Sequence, residues 1–169
     1  MHTTAVRLKK LGWVRIRPLR NGDTQTVARL FDRLSSESRA RRFNAARPRL
    51  TERELEALAR VGGRSHSVVA WVDGDPEPAG FAQIVRDTRE WTHGEISFAV
   101  ADTYHRRGIG SALVSRLAAD ARAAGITHLT ATIQSSNRAA IVLVKRVGRP
   151  VDVRIESGET SLVAALSAA

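Results

Sequence analysis

The chain has 169 residues, 43% of them hydrophobic, no cysteine and a formal charge of +10. That length supports one compact domain with a substantial core, and the missing thiol excludes disulfides, thiolate zinc sites and a cysteine nucleophile. No apolar run approaches the ~20 residues of a membrane span and the N-terminus has no continuous apolar stretch of the signal-peptide kind, so no membrane partner and a cytoplasmic location are expected.

Residues 1–12 read as an N-terminal extension and residues 13–169 as a single domain. The charge is uneven: residues 1–50 carry 13 Lys/Arg against 3 Asp/Glu, and residues 51–169 carry 14 of each. A one-signed patch concentrates anions near it, which brings nucleic acid into consideration. No nucleic-acid-binding motif is present, however, and a charge run is ordinarily a solvated face. Of the 27 basic residues 24 are arginine, which is as much a compositional habit as a functional choice. Nucleic acid is therefore not an expected partner.

Val14 and Ile16 before Pro18 predict a first strand, and Asn21-Gly22-Asp23 a turn that opens a helix carrying Val27, Leu30, Phe31 and Leu34. Ser35-Ser36-Glu37-Ser38 breaks that pattern and leads into a basic segment ending at Arg49. Thr51 followed by Glu54 fits a capping box for the helix with Leu55, Leu58 and Ala59. Residues 67–72 and 79–85 read as a hairpin across Asp73-Gly74-Asp75-Pro76, and residues 95–100 as a further strand, with His93-Gly94 taken as a turn before it. Residues 110–124 form an amphipathic helix with Leu113, Val114, Leu117, Ala118 and Ala121 on one face and Gly125 as its stop. Residues 128–133 are again strand, 137–146 helix, and 150–156 with 160–162 a terminal hairpin turning at Ser157-Gly158. The sum is a mixed α/β domain on a largely antiparallel sheet of about six to seven strands flanked by helices.

The stretch Thr103-Tyr104-His105-Arg106-Arg107-Gly108-Ile109-Gly110-Ser111 joins a strand to a helix. Successive backbone N–H groups of residues 106–111 then sit at the positive end of a helix dipole, where they can converge on a phosphate. Gly108 and Gly110 allow close approach, and Arg106 and Arg107 can add charge-assisted bonds. A P-loop would need Lys-Ser/Thr where Ser111-Ala112 stands, and a dinucleotide fingerprint a third small residue in place of Leu113, so both fit poorly. A glycine turn that only packs a helix on a strand is the plainer alternative.

The element order, with Glu-Ile-Ser-Phe-Ala-Val (95–100), His-Arg-Arg-Gly-Ile-Gly (105–110) and Ser-Ser-Asn-Arg-Ala-Ala (135–140), resembles the GNAT superfamily of acyl-CoA-dependent N-acyltransferases. The superfamily's phosphate signature is Gln/Arg-x-x-Gly-x-Gly/Ala; this chain departs from it at His105 and keeps Gly108 and Gly110. Residues 14–20, 31–43 and 48–55 are further similar to bacterial Pat-type protein lysine acetyltransferases, at the length of their catalytic domain. A cyclic-nucleotide or acyl-CoA-synthetase-like domain would not fit beside it in these 169 residues.

The resemblance implies acetyl-CoA as donor, no metal, and an amine acceptor: a protein lysine, or in the alternative a small amine. A non-catalytic acyl-CoA-binding module is the reading from another class. A lysine, with a reference pKa of ~10.4, must lose a proton before it can attack a thioester. The resemblance gives that task to Glu95, which alternation places on one strand face with Ser97 and Ala99, opposite Ile96, Phe98 and Val100. In solvent Glu95 would instead be a strand-end carboxylate or an arginine's partner, and His93 is a weaker candidate. The cofactor is expected on the backbone of Phe98, Ala99 and Val100 and on His105, Arg106, Arg107, Gly108, Ile109, Gly110 and Ser111. Asn137 matches the family's asparagine beside the pantetheine arm and equally suits a helix N-cap. Seven residues on, where many members carry a tyrosine that protonates the thiolate, stands Val144. Tyr104 and His105 are no obvious replacement, the first suited to packing and the second to a phosphate contact or a spacer.

Overall fold

Two strands, three helices and three strands open the chain, followed by helix, strand, helix and two closing strands. In the computed structural model, which describes residues 2–166, the strands are β1 (Thr4–Leu8), β2 (Gly12–Pro18), β3 (Ser65–Val72), β4 (Gly80–Arg86), β5 (His93–Val100), β6 (His128–Gln134), β7 (Arg149–Glu156) and β8 (Glu159–Ala165). The helices are α1 (Thr24–Asp32), α2 (Ser36–Phe43), α3 (Glu52–Ala59), α4 (Ile109–Ala123) and α5 (Arg138–Val147). Met1 and residues 167–169, the outer ends of the expected extension and domain, lie outside the described residues. No described helix is long and apolar enough to cross a membrane.

All eight strands form one sheet in the order β1-β2-β3-β4-β5-β6-β8-β7. Every neighbouring pair is antiparallel except β5 and β6, which run parallel. The expected sheet of about six to seven strands thus gains a member, β1, from within residues 1–12, where a turn at Leu8–Leu11 returns the chain onto β2. The helices gain α2. Ser35-Ser36-Glu37-Ser38 is no break but its start: the Ser35 hydroxyl accepts from the Ser38 N–H at 3.2 Å and caps it.

Both faces of the sheet are covered. On one, the five α4 residues expected from their spacing are buried and pack on Val68, Ala70, Ala82, Ile84 and Ile96. On the other, Val69, Phe81 and Ala101 meet Val27 and Leu30 of α1 and Ala59 of α3. Each buried Val, Leu, Ile or Phe among them contributes about 1.5–3 kcal/mol, and each alanine less. Asp23 caps α1 through the Thr26 N–H at 3.0 Å, and Thr51 and Glu54 complete both halves of the capping box on α3.

His93 and Gly94 lie within β5, correcting their reading as a turn. A side chain at 94 would press a Cβ to 2.7 Å from Ile84 Cδ1, so the glycine answers to packing across the sheet. Alternation beyond it holds: Ile96, Phe98 and Val100 join the α4 core, while Glu95 is exposed on the opposite face.

Candidate active site

A fork opens where β5 leaves β6. The parallel ladder has three pairs, His93 with His128, Gly94 with Leu129 and Glu95 with Thr130. Past Glu95, β5 continues to Val100 and β6 to Gln134 without pairing each other. Glu95 therefore sits at the vertex. Below it the rings of His93 and His128 stack at 4.5 Å, and His93 pairs with Glu90 at 3.0 Å, so this candidate base already has a carboxylate partner.

Backbone direction along β5 follows from its bonds. Ala101 N–H donates to Ala79 O toward β4, and Thr127 N–H donates to Thr92 O on the β6 side. By alternation the backbone groups of Ile96, Phe98 and Val100 face the fork, while those of Ala99 face β4. Phe98 and Val100 thus offer N–H groups to an extended ligand. The Val100 carbonyl is taken by His105 Nε2 at 2.9 Å. A carbonyl only accepts, so Nε2 carries the hydrogen and a neutral His105 leaves an acceptor at Nδ1; the ring pins the turn to the strand and reaches an anion as a donor only when protonated.

The turn itself bends through two residues at positive φ. Arg106 has φ +59° and Gly108 +99°, and no side chain caps the first turn of α4. The opening N–H groups of a helix have no partner within it, so those of Ile109, Gly110 and Ser111 are available beside the positive dipole end. Gly110 has a different duty. Its Cβ would come 3.1 Å from Leu143 Cδ1, so it lets α5 and α4 approach. Arg106 and Arg107 are exposed and form no ion pair among the described residues. These features fit a diphosphate, and an extended acyl arm fits the unpaired strand edges.

Asn137 caps α5, its side-chain oxygen accepting from the Ala140 N–H at 3.3 Å. This satisfies the capping reading and leaves its NH2 group unassigned. Val144 is fully buried in the core under α5, so a hydroxyl at that position would meet apolar neighbours. Tyr104 donates to Asp75 Oδ2 at 2.7 Å, and that bond raises its pKa, with burial adding to the shift; it is a fixed structural phenol. Among the described residues no cluster of His, Asp and Glu could hold a metal ion.

Sequence reasoning missed the roof. Asp102, just past β5, accepts from the Ser35 N–H (2.9 Å), the Ser35 hydroxyl (2.7 Å) and the Ser38 hydroxyl (2.9 Å). Gln134 Nε2, at the end of β6, donates to Ala40 O at 3.3 Å. Helix α2 is thereby tied to both prongs. Its half-buried Arg42 lies over Phe43 with 4.9 Å from Cζ to the ring centre. Burial pushes that guanidinium down to about 10, and the Glu95 carboxylate opposes the shift. At neutral pH it remains a cation facing the vertex. The hairpin between β1 and β2 was missed as well: Leu8 packs 3.4 Å from the Cβ position of Gly108, setting the β1–β2 turn with Lys9 and Lys10 against the glycine turn.

A sheet forked beside an uncapped helix N-terminus is the architecture of acyl-CoA-dependent N-acyltransferases. Residues 27–148 match the acetyltransferase (GNAT) family, and the chain belongs to it. Over 144 residues it is 31% identical to acetyltransferase Pat of Mycolicibacterium smegmatis, covering 85% of this chain and 43% of that protein. The chain thus spans less than half the length of that relative. The GNAT domain of S. lividans PAT superposes with a TM-score of 0.85 over 97% of both chains at 25% identity. A Salmonella typhimurium structure containing its cofactor acetyl-CoA shares the fold, with a TM-score of 0.63, 20% identity and coverage of 91% of this chain and 93% of that one.

Proposed function

We propose that this chain transfers the acetyl group of acetyl-CoA to the side-chain amine of a protein lysine, with Glu95 as general base. The reading rests on one observation above all: an exposed carboxylate at the vertex of the β5–β6 fork, on the strand that ends in the glycine turn. Similarity to Pat of M. smegmatis and to the S. lividans domain supports a protein acceptor.

Bound acetyl-CoA supplies a thioester carbonyl carbon open to attack. The amides of residues 106–111, with Arg106 and Arg107, hold its diphosphate. The Phe98 and Val100 N–H groups align the arm, and one of them polarises the carbonyl oxygen. Asn137 adds its free NH2 group to the arm's polar contacts. Glu95 takes one proton from the acceptor ammonium, and the nitrogen lone pair forms the amide bond as the C–S bond breaks. The second nitrogen proton leaves through Glu95 or water to solvent. With Val144 and Tyr104 both withdrawn, the thiolate takes its proton from water, which a thiol ordinarily protonated at neutral pH permits.

Helix α2 lies on the face that Glu95 presents, so Arg42 borders the acceptor's approach. A fixed cation there disfavours small polycations such as polyamines and favours a lysine flanked by acidic residues. Incubating the chain with acetyl-CoA and lysine peptides, and measuring thiol release, tests the reading. Release that requires peptide and collapses in Glu95→Gln is expected; tight acetyl-CoA binding with no turnover on any amine would instead make the chain a binding module.

A further inference from the structure

β7 is the far edge of the sheet, bonded to β8 on one side and to no described strand on the other. All eight of its residues are exposed, including Val151, Val153 and Ile155 at 46%, 43% and 69%. A strand of this kind invites pairing with another chain, and edges are commonly blunted by lysine, proline or a bulge. β7 has Pro150 and a register shift between Pro150 and Asp152, both at its start; from Asp152 to Glu156 its ladder with β8 is regular and contains no lysine.

The segment Val151-Asp152-Val153-Arg154-Ile155 is complementary to itself read backwards. A two-fold axis through Val153 sets Asp152 opposite Arg154 of a second copy, and Arg154 opposite its Asp152. Val153 meets its own counterpart, and Val151 meets Ile155. Moving the axis to Asp152 opposes two aspartates, and moving it to Arg154 opposes two arginines and sets Asp152 against Glu156. Moving it half a residue mixes apolar and charged positions. One register is therefore selected by charge and by face together.

The single chain already carries the two halves. Asp152 and Arg154 lie on one face and touch each other, Arg154 Nε to Asp152 Oδ2 at 3.1 Å. Val153 and Ile155 share the other face with their β8 partners Leu162 and Thr160, which are buried while they are not. We infer that β7 is an isologous interface at which a second copy of this chain adds antiparallel, joining two eight-stranded sheets into one. The fork lies two strand positions inward, between β5 and β6, and stays open in such a dimer. A five-residue ladder buries less than the ~1,600 Å² of a standard interface, so a concentration-dependent dimer is expected.

Sedimentation velocity of the chain from about 1 to about 500 µM tests this. The wild-type chain is expected to shift from monomer to dimer across the range. Asp152→Arg sets arginine against arginine on both sides of the axis and should weaken association at least tenfold; the double swap Asp152→Arg with Arg154→Asp should restore it. Loss of the exposed pair within one strand costs little, so the variants should melt with the wild type. Val153→Lys, which opposes two lysines at the axis, serves should the first variant not fold. A wild-type chain monomeric at the top of the range would overturn the inference. So would a dimer indifferent to Asp152→Arg and Val153→Lys, or a folded double swap that stays monomeric.

Discussion

Glu95 owes its availability to its neighbours on the strand. Gly94 before it must be small against Ile84, and Ile96 after it is buried, so alternation forces the carboxylate onto the face under α2. Glu95→Gln keeps shape and removes basicity; turnover should fall about 10²–10⁴-fold while the acetyl-CoA KM changes less than about twofold. Steady-state kinetics with both substrates varied separates the two effects. In the proposed reaction Arg42 acts on the acceptor instead. Arg42→Ala should narrow the preference for acid-flanked over neutral lysine peptides about fivefold and leave the acetyl-CoA KM alone, read from kcat/KM on a matched peptide pair. The face on which Glu95 stands was legible from strand alternation; the place of Arg42 near it was not, because nothing in its local spacing says which carboxylate it will face.

Helix α2 shows where pattern reading stops. Its sequence Ser-Glu-Ser-Arg-Ala-Arg-Arg-Phe buries no residue completely, so hydrophobic periodicity carries no signal. What builds it is polar: the Ser35 cap, Glu37 in the first turn, Arg41 and Arg42 in the last, and a Glu37–Arg41 pair at 2.6 Å. Those cues were present, and a reading weighted toward apolar spacing passes over them, as it passes over the five-residue β1. By contrast α4, whose apolar face is continuous, begins and ends within a residue of expectation. The strap on α2 gives this element its own pH dependence. Burial alone would raise the Asp102 pKa, but the Ser35 N–H and the Ser35 and Ser38 hydroxyls, with His105 nearby, hold it below the ordinary value. A carboxylate depressed by folding stabilises fully above its unfolded pKa of ~3.9 and loses that contribution as pH falls through the lower folded value. Asp102→Ala should therefore cost about 1 kcal/mol at pH 7 after solvent screening, and the gap should narrow as pH falls below the ordinary carboxylate value of ~3.9. Paired thermal melts across pH measure it; a constant gap would mean that the three bonds do not depend on the charge.

At the scale of the whole molecule, the basic surplus of the first fifty residues meets two fates that its sequence does not distinguish. Arginines spread through it reach acids brought near by the fold: Arg15 to Asp73 (3.0 Å), Arg29 to Glu77 (3.7 Å), Arg33 to Asp75 (2.8 Å) and Arg47 to Glu54 (2.8 Å). These match the solvated-face expectation and add little individually where exposed. Arg7, Lys9 and Lys10 have no such partner among the described residues, and Leu8 sets the turn that carries Lys9 and Lys10 against Gly108, next to the exposed Arg106 and Arg107. Lys9, Lys10, Arg106 and Arg107 are then carried on segments that meet at the uncapped start of α4. That focus suits a ligand with a diphosphate and a further phosphate at the same end, as acetyl-CoA has. Screened contacts of about 0.5 kcal/mol each make two lysines worth about fivefold in affinity. Lys9→Ala with Lys10→Ala should accordingly raise the acetyl-CoA KM about fivefold at low salt with kcat unchanged. At 1 M salt, where the Debye length is ~3 Å, the difference should nearly vanish. Acetyl-3′-dephospho-CoA, one phosphate poorer, should show a smaller penalty than acetyl-CoA for the same double variant. A KM that ignores the lysines at low salt would return the hairpin to the role of a solvated edge and leave phosphate binding to the α4 turn alone.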